Sequence, residues 1–273
     1  MRLKTRRNIV KIYRFLTPDI LKNKVKKFYF MLEGICIRIK WFFFYGTTDY
    51  FSNIAIEIST YCQLRCSICP NSIHSRGLKE NKVEMHIDVI SKILTDLKGF
   101  RGNISYARFN EPLTDNRLDT IIRLTKKLLP KSKVFINTNG LLLTEKRYDE
   151  LVEAGVDEIL ATDYVGNKPM KRIKGVTHRY LDENMPLLNR VGMIATKVKA
   201  DLPCQAEIRS AIVINVDGNL LKCCNDYFSK EIFGNVKKEN LLDIWFNEKF
   251  RDTREQLKKQ NFDYSELCRK CVA

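Results

Sequence analysis

The chain has 273 residues, 44% of them hydrophobic, with 48 Lys or Arg against 32 Asp or Glu and a net charge of +16. That much apolar material buries one large core or two smaller ones and excludes a disordered chain. Nine cysteines behind a basic N-terminus that lacks a small-residue cleavage site argue against a disulfide-stapled secreted domain, and point to metal ligation in a reducing, cytoplasmic setting.

Residues 1–50 hold twelve Lys or Arg and three Asp or Glu, so nine of the sixteen excess positive charges lie there. Apolar residues recur at helical spacing over 9–44 (Ile9, Ile12, Tyr13, Leu16, then Leu21, Val25, Phe28, Leu32, Ile35, Ile39, Phe42), which predicts two amphipathic helices divided at Pro18. Glu33, Arg38 and Lys40 interrupt the run 28–45 and argue against a membrane span. The expected arrangement is a basic amphipathic helical extension docked on the protein body, with Cys36 packed. Peripheral contact with an anionic membrane is the alternative, and nucleic acid is disfavoured because no aromatic-interleaved RNA motif is present.

Residues 53–59 alternate as a short strand does, and Cys62, Cys66 and Cys69 follow on the loop at its C-terminal end, where α/β folds place their chemistry. Three thiolates spaced C-x3-C-x2-C reach three corners of a 4Fe-4S cube and leave the fourth iron open, whereas a structural zinc site closes four positions. This stretch resembles the signature of the radical S-adenosylmethionine (radical SAM) superfamily. The resemblance implies that the open iron chelates the amino and carboxylate groups of SAM, and that an electron from the cluster cleaves SAM to a 5'-deoxyadenosyl radical. Ile68 stands where that family often has an aromatic residue packing on the adenine.

A helix over 89–97, a strand over 104–109, a helix over 118–129, a strand over 134–138, a helix over 145–154 ending at Gly155 and a strand over 158–162 continue a βα repeat, the pattern of a parallel sheet covered by helices. The second strand runs into Asn110-Glu111-Pro112, which resembles the family's Gly-x-Glu-Pro segment and implies a grip on the SAM amino group. Asn110 tolerates a left-handed conformation, so the turn can survive without the second glycine. The third strand ends in Thr138-Asn139-Gly140, with Thr138 and Asn139 candidate cofactor contacts. Family barrels have six such strands and four are legible. Between Asp163 and Cys204 only one helix, near 179–189 and closing with Asn189-Arg190-Val191-Gly192, is expected, so the fold class is α/β with a partial (β/α) barrel, apparently shortened.

Cys204, Gly218, Cys223, Cys224, Cys268 and Cys271 form a second constellation. Asp217-Gly218, flanked by 211–216 and 220–223, is a hairpin signal that presents Cys223 at a strand end. The spacing resembles the SPASM and twitch domains of radical SAM enzymes, which implies that Cys204, Cys223, Cys268 and Cys271 hold one auxiliary 4Fe-4S cluster. A tetrahedral zinc site is the alternative. Cys224 can replace Cys223, pack, or act as a thiol near substrate, and Asp226 is a weak catalytic candidate beside it. Lys222, Asp226 and Arg209 are read as solvated charges or substrate contacts, and His74, His86 and His178 as ordinary surface or core residues.

The domains are expected at 1–50 (helical extension), 51–192 (radical SAM core) and 193–273 (cluster domain). What the resemblance implies is a radical SAM oxidoreductase acting on a small polyol or amino sugar, or a lipid-linked sugar, and fed electrons by flavodoxin or ferredoxin. A peptide maturase and a non-catalytic iron-sulfur or zinc module are the alternatives.

Overall fold

The structure is a computed structural model. It describes residues 51–164, 172–181, 189–195 and 211–272, together with Leu32, Ile35, Cys36, Ile39 and Phe43. The chain divides into two units, Met1–Tyr50 and Phe51–Ala273.

In the first unit the five described residues are helical and exposed. Their spacing puts them on one side of a helix, so the apolar stripe foreseen from periodicity faces water. Cys36, expected to pack, is exposed on that stripe. The rest of the expected helices lies outside the described residues. Among the described residues no helix is long and apolar enough to cross a membrane.

The second unit has eight strands: β1 (Asn53–Ile56), β2 (Asn103–Ser105), β3 (Lys133–Thr138), β4 (Glu158–Asp163), β5 (Thr177–Tyr180), β6 (Ala211–Ile214), β7 (Asn219–Leu221) and β8 (Ile232–Asn235). They form one sheet in the order β5-β4-β3-β2-β1-β6-β7-β8. β1 to β5 run parallel, β6 joins parallel to the free side of β1, and β7 and β8 follow antiparallel. Six parallel strands make the partial barrel.

Successive strand residues point to opposite faces, and one set meets the helices. Ile54, Ile56, Ile104, Val134, Ile136, Ile159 and Ala161 are buried with Ile90, Ile93 and Leu94 of α1 (Ile87–Asp96), Leu118, Ile121 and Ile122 of α2 (Leu118–Leu128), and Leu151 and Ala154 of α3 (Glu145–Ala154). The alternate residues Ala55, Ser105, Phe135, Asn137 and Leu160 are half-buried on the other face. Thr144 caps α3 by accepting from the Arg147 N–H at 3.1 Å, so a free amide of the first turn is taken up, and Gly155 ends it at φ +112. The C-terminal helices α4 (Leu241–Phe246), α5 (Glu248–Lys258) and α6 (Glu266–Val272) follow β8. Trp245 anchors them, its ring 5.2 Å from Phe51 just before β1, with the Arg254 guanidinium 3.8 Å above it.

Two sequence expectations change. Residues 179 and 180, assigned to a helix, are extended in β5 and pair with Thr162 and Asp163 of β4; residues 182–188 of that expected helix lie outside the described residues. β5 reads Thr-His-Arg-Tyr and buries none of its side chains, so it carries no apolar alternation from which a strand is read. The hairpin around Asp217-Gly218 does form, with Gly218 at φ +85. Its first strand, however, pairs along its whole length with β1, Ile54 opposite Ile212. The late hairpin therefore extends the barrel sheet, and the barrel is less short than four legible strands imply.

Candidate active site

β1 delivers the chain into a loop that returns before α1. Main-chain bonds close it: the Thr60 N–H donates to Val83 O (3.0 Å), the Met85 N–H to Ile58 O (2.9 Å) and the Cys62 N–H to Gly77 O (3.2 Å). Cys62, Cys66 and Cys69 are half-buried on this loop. Burial pushes the Cys62 thiol up to about 11, with Glu111 and Cys69 adding to it. Burial and the neighbouring Cys62 and Cys69 push Cys66 up to about 12. The three thiols thus lie within electrostatic reach of one another in poorly solvated surroundings where bare thiolates are disfavoured. A cationic iron-sulfur core reverses both penalties, so the donor set fits such a cluster. Ile68 is half-buried between Cys66 and Cys69.

The segment after β2 closes on this loop. The Glu111 N–H donates to Tyr61 O at 2.9 Å. The Glu111 carboxylate is buried and accepts from Thr138 Oγ1 (2.7 Å), the Asn139 N–H (2.7 Å) and the Leu113 N–H (3.1 Å). Burial raises its pKa, and these three donors pull the other way. Glu111 is therefore first a joint between the β2 and β3 ends, with little carboxylate capacity left for a ligand ammonium. Pro112 starts a buried 3-10 turn. Asn110 does not use the left-handed conformation expected of it. Its side chain closes the turn instead, accepting from the Arg108 N–H (2.9 Å) and donating to Tyr106 O (3.1 Å). Asn139 donates from Nδ2 to Cys62 Sγ at 3.9 Å and accepts from Gln63 Nε2 at 3.3 Å, which orients a candidate ligand sulfur.

Cys223 and Cys224 follow β7, while Cys268 and Cys271, three apart on α6, share a face of that helix. Burial and the adjacent Cys224 and Cys271 raise the Cys223 thiol well above its ordinary value. Burial, Cys268 and Cys224 raise Cys271. Cys223, Cys224, Cys268 and Cys271 thus lie within electrostatic reach of one another, although among the described residues no three Cys, His, Asp or Glu side chains are gathered closely enough to hold a metal ion; Cys204 and Arg209 lie outside the described residues. The Asp226 carboxylate accepts from the Lys230 N–H (2.8 Å) and the Glu231 N–H (2.9 Å) and so closes its own loop. Lys222, read as solvated, is 2% exposed.

Tertiary contacts join the two cysteine loops. Tyr227 Oη donates to Asn71 Oδ1 at 2.8 Å, and Asn71 Nδ2 donates to Phe109 O at 2.8 Å. A Cβ at Gly77 would overlap this Asn71 amide, so the close approach needs glycine. Tyr227 stacks on His74 at 5.4 Å and meets Phe109 edge-on at 4.9 Å. Arg108 donates to the main-chain oxygen of Asp226 and to Glu57 Oε2 at 3.4 Å. Glu57, fully buried at the end of β1, also accepts two bonds from Arg76 (2.9 and 2.7 Å) and one from the Val216 N–H (3.2 Å). Arg190 lies within electrostatic reach of Cys69, Tyr164 and Cys271 and donates to Asn225 Oδ1 at 2.8 Å. Arg190, Val191 and Gly192 have φ of 50, 63 and 77, so the stretch expected to close a helix is a left-handed turn. That is costly for the β-branched Val191. A cavity of about 630 Å³ lies beside the second set, lined by Asn225, Asp226, Tyr227 and Lys270 among others, and Cys62, Cys66 and Cys69 do not line it.

The radical SAM superfamily model matches residues 56–197, and that of SPASM, an iron-sulfur cluster-binding domain, matches residues 204–272. The chain belongs to the radical SAM superfamily. The S-adenosyl-L-methionine-dependent 2-deoxy-scyllo-inosamine dehydrogenase of Niallia circulans is 32% identical over 237 residues, covering 81% of this chain and 92% of that protein. The tungsten-containing aldehyde ferredoxin oxidoreductase cofactor-modifying protein of Pyrococcus furiosus is 33% identical over 104 residues, 37% of this chain and 28% of that one. The crystal structure of BtrN in complex with AdoMet and 2-DOIA matches with a TM-score of 0.73 and 30% identity, covering 82% of this chain and 93% of that one. BtrN in an open conformation matches with a TM-score of 0.65, 29% identity and coverage of 82% and 92%.

For a radical SAM enzyme, SAM and a 4Fe-4S cluster are the working cofactors, and the SPASM-type region carries the auxiliary iron-sulfur cluster. Sequence reading singled out Cys62, Cys66 and Cys69 and the later cysteines from their spacing. It missed Glu57, Arg76 and Arg108, which brace the two loops, and Gln63, Tyr164 and Arg190, which surround the first set. Each is a single polar residue without a motif. Glu57 alone left a trace, as a charge amid the apolar run of β1.

Proposed function

We propose that this radical SAM enzyme is a dehydrogenase of a small polyol, of the aminocyclitol class, with Cys62, Cys66 and Cys69 holding the SAM-cleaving cluster and Cys204, Cys223, Cys268 and Cys271 the auxiliary one. The working division is 1–50, 51–192 and 193–273. The observation that carries the reading is the likeness, along 92% of its length, to a SAM-dependent 2-deoxy-scyllo-inosamine dehydrogenase.

Bound at these sites, the clusters and SAM supply a hydrogen-abstracting radical and a one-electron acceptor. The chain's own residues hold and orient. Asn139 aims the Cys62 sulfur, and Glu111 fixes the β2 and β3 ends against the cysteine loop. The Tyr164 hydroxyl and the Arg190 guanidinium are donors suited to a substrate's hydroxyl groups. The alcohol carbon would give up a hydrogen atom to the SAM-derived radical and an electron to the auxiliary cluster, and its hydroxyl a proton to solvent, leaving a ketone. The test is anaerobic reconstitution, addition of SAM, a reductant and 2-deoxy-scyllo-inosamine, and mass spectrometry of the products. Equal amounts of ketone and deoxyadenosine are expected. Deoxyadenosine without substrate oxidation, across a panel of aminocyclitols, sinks the aminocyclitol reading and leaves the radical chemistry standing.

A lipid-linked sugar is the second reading. It is favoured by the nine excess positive charges of residues 1–50 and by the exposed stripe of Leu32, Ile35 and Ile39, a combination suited to lying on an anionic membrane from the cytoplasmic side. The chain should cosediment with anionic but not neutral vesicles, lose binding when residues 1–45 are deleted, and release as salt rises. No binding at low salt removes the membrane contact. Flavodoxin or ferredoxin is the proposed electron source, tested by replacing the chemical reductant with either protein.

A further inference from the structure

Lys222 is the residue next to Cys223, and its side chain is almost wholly withdrawn from water. A buried ammonium needs partners, and this one has a carboxylate and an aromatic ring. Nζ donates to Glu231 Oε2 at 3.0 Å, lies 4.3 Å from the Tyr264 ring centroid and is within electrostatic reach of Cys268. The arrangement is held from behind: Glu231 Oε1 accepts from Ser265 Oγ, and the same Oγ accepts from the Cys268 N–H at 3.3 Å. Tyr264, Ser265 and Cys268 lie within one short stretch leading into α6. A positive charge is therefore held within electrostatic reach of Cys223, Cys268 and Cys271.

We propose that Lys222 sets the reduction potential of the auxiliary cluster, raising it so that the cluster accepts an electron more readily. The inference rests on the proposed reading that this cysteine set holds an iron-sulfur cluster. The physical cause is simple. Reduction adds one electron and no proton, so the cluster becomes more negative by one charge. A nearby ammonium stabilises the reduced state more than the oxidised one. Glu231, being of the other sign, opposes it. In a dehydrogenase this favours the electron leaving the substrate for the auxiliary site. A lysine serving only to fill space or to pair with Glu231 has no such consequence, which makes potential the discriminating quantity.

The test is a potentiometric titration of the reconstituted full-length enzyme, read by electron paramagnetic resonance. The auxiliary signal is the one that SAM leaves unperturbed, and the SAM-perturbed signal is an internal control. Lys222→Met is expected to make auxiliary reduction about tenfold less favourable, about 59 mV lower for a one-electron couple, with the SAM-perturbed signal unmoved. Lys222→Arg, which keeps the charge, retains the wild-type potential, and Glu231→Gln shifts it upward. An unchanged auxiliary potential in Lys222→Met with the full iron content of about eight per chain overturns the proposal. If Lys222→Met loads only half its iron, Glu231→Gln decides: a rise supports the proposal and no shift overturns it. A wild-type chain with about four irons and no second signal overturns the cluster reading and the proposal together, and the missing signal tells that failure from one of Lys222 alone.

Discussion

Cys66→Ala is expected to reduce SAM cleavage to background and to remove about four of about eight irons per chain, leaving the auxiliary signal in place. Cys66 is the middle of the three loop cysteines and the one whose thiol both of the others push up, after burial itself. With it gone, Cys62 and Cys69 are left to hold a cluster with two ligands, and two of its irons are open where the chemistry requires one. Anaerobic reconstitution, iron counting and an assay for deoxyadenosine check this. Cleavage at a rate near that of the parent protein would place the SAM-cleaving cluster elsewhere. Cys224→Ala is the useful companion, because Cys224 sits with Cys223 and Cys271 but is not in the proposed ligand set; it should retain both clusters.

Glu57→Ala is expected to cost about 3–5 kcal/mol of stability, since removing one partner of a buried ion network strands the others. Arg108 is fully buried with it, and Arg76 gives it two bonds. The effect reaches function because the network ties the end of β1 to the cysteine loop, to the β2 end and, through the Val216 N–H, to the hairpin that presents Cys223. Burial by itself would push the Glu57 carboxyl up, but the Arg76 bonds, the charges of Arg108 and Arg76 and the Val216 N–H hold it below the ordinary carboxylate range. A group whose folded pKa is lowered contributes its full stability above its unfolded value, about 4.3. The contribution is lost as pH falls through the folded value. The gap between parent and Glu57→Ala should therefore be full at neutral pH and narrow in acid. Urea unfolding of the reconstituted protein at several pH values measures it, and a gap that stays constant into acid would show that the loss is one of packing.

Some of this molecule was legible from residue types and spacing alone. Close spacing of cysteines is a local property: C-x3-C-x2-C fixes how far apart three sulfurs can lie wherever the loop goes, so the first set could be read without knowing the fold. The same holds for helix α3, whose Thr144 cap and Gly155 stop are chemistry within one turn of the chain, and for the Asp217-Gly218 hairpin. Strand β5 was lost because edge strands with solvated side chains carry no alternation, and only pairing with β4 makes Thr177–Tyr180 a strand. Register between β6 and β1 was out of reach for a similar reason, since about 160 residues separate the partners and either could have paired elsewhere with the same pattern.

What only the tertiary structure decided is which charges are used up and which are aimed. Glu111 and Asp226 looked like free carboxylates, yet each spends its oxygens on donors supplied mainly by backbone amides. Lys222 looked like a solvated surface charge, yet the fold buries it with Glu231 and Tyr264. Burial and hydrogen bonding depend on what the rest of the chain brings to a residue, and no spacing rule encodes that. The chain's chemistry was therefore written in the sequence as ligand types, while the fold alone decided how that chemistry is braced, screened and tuned.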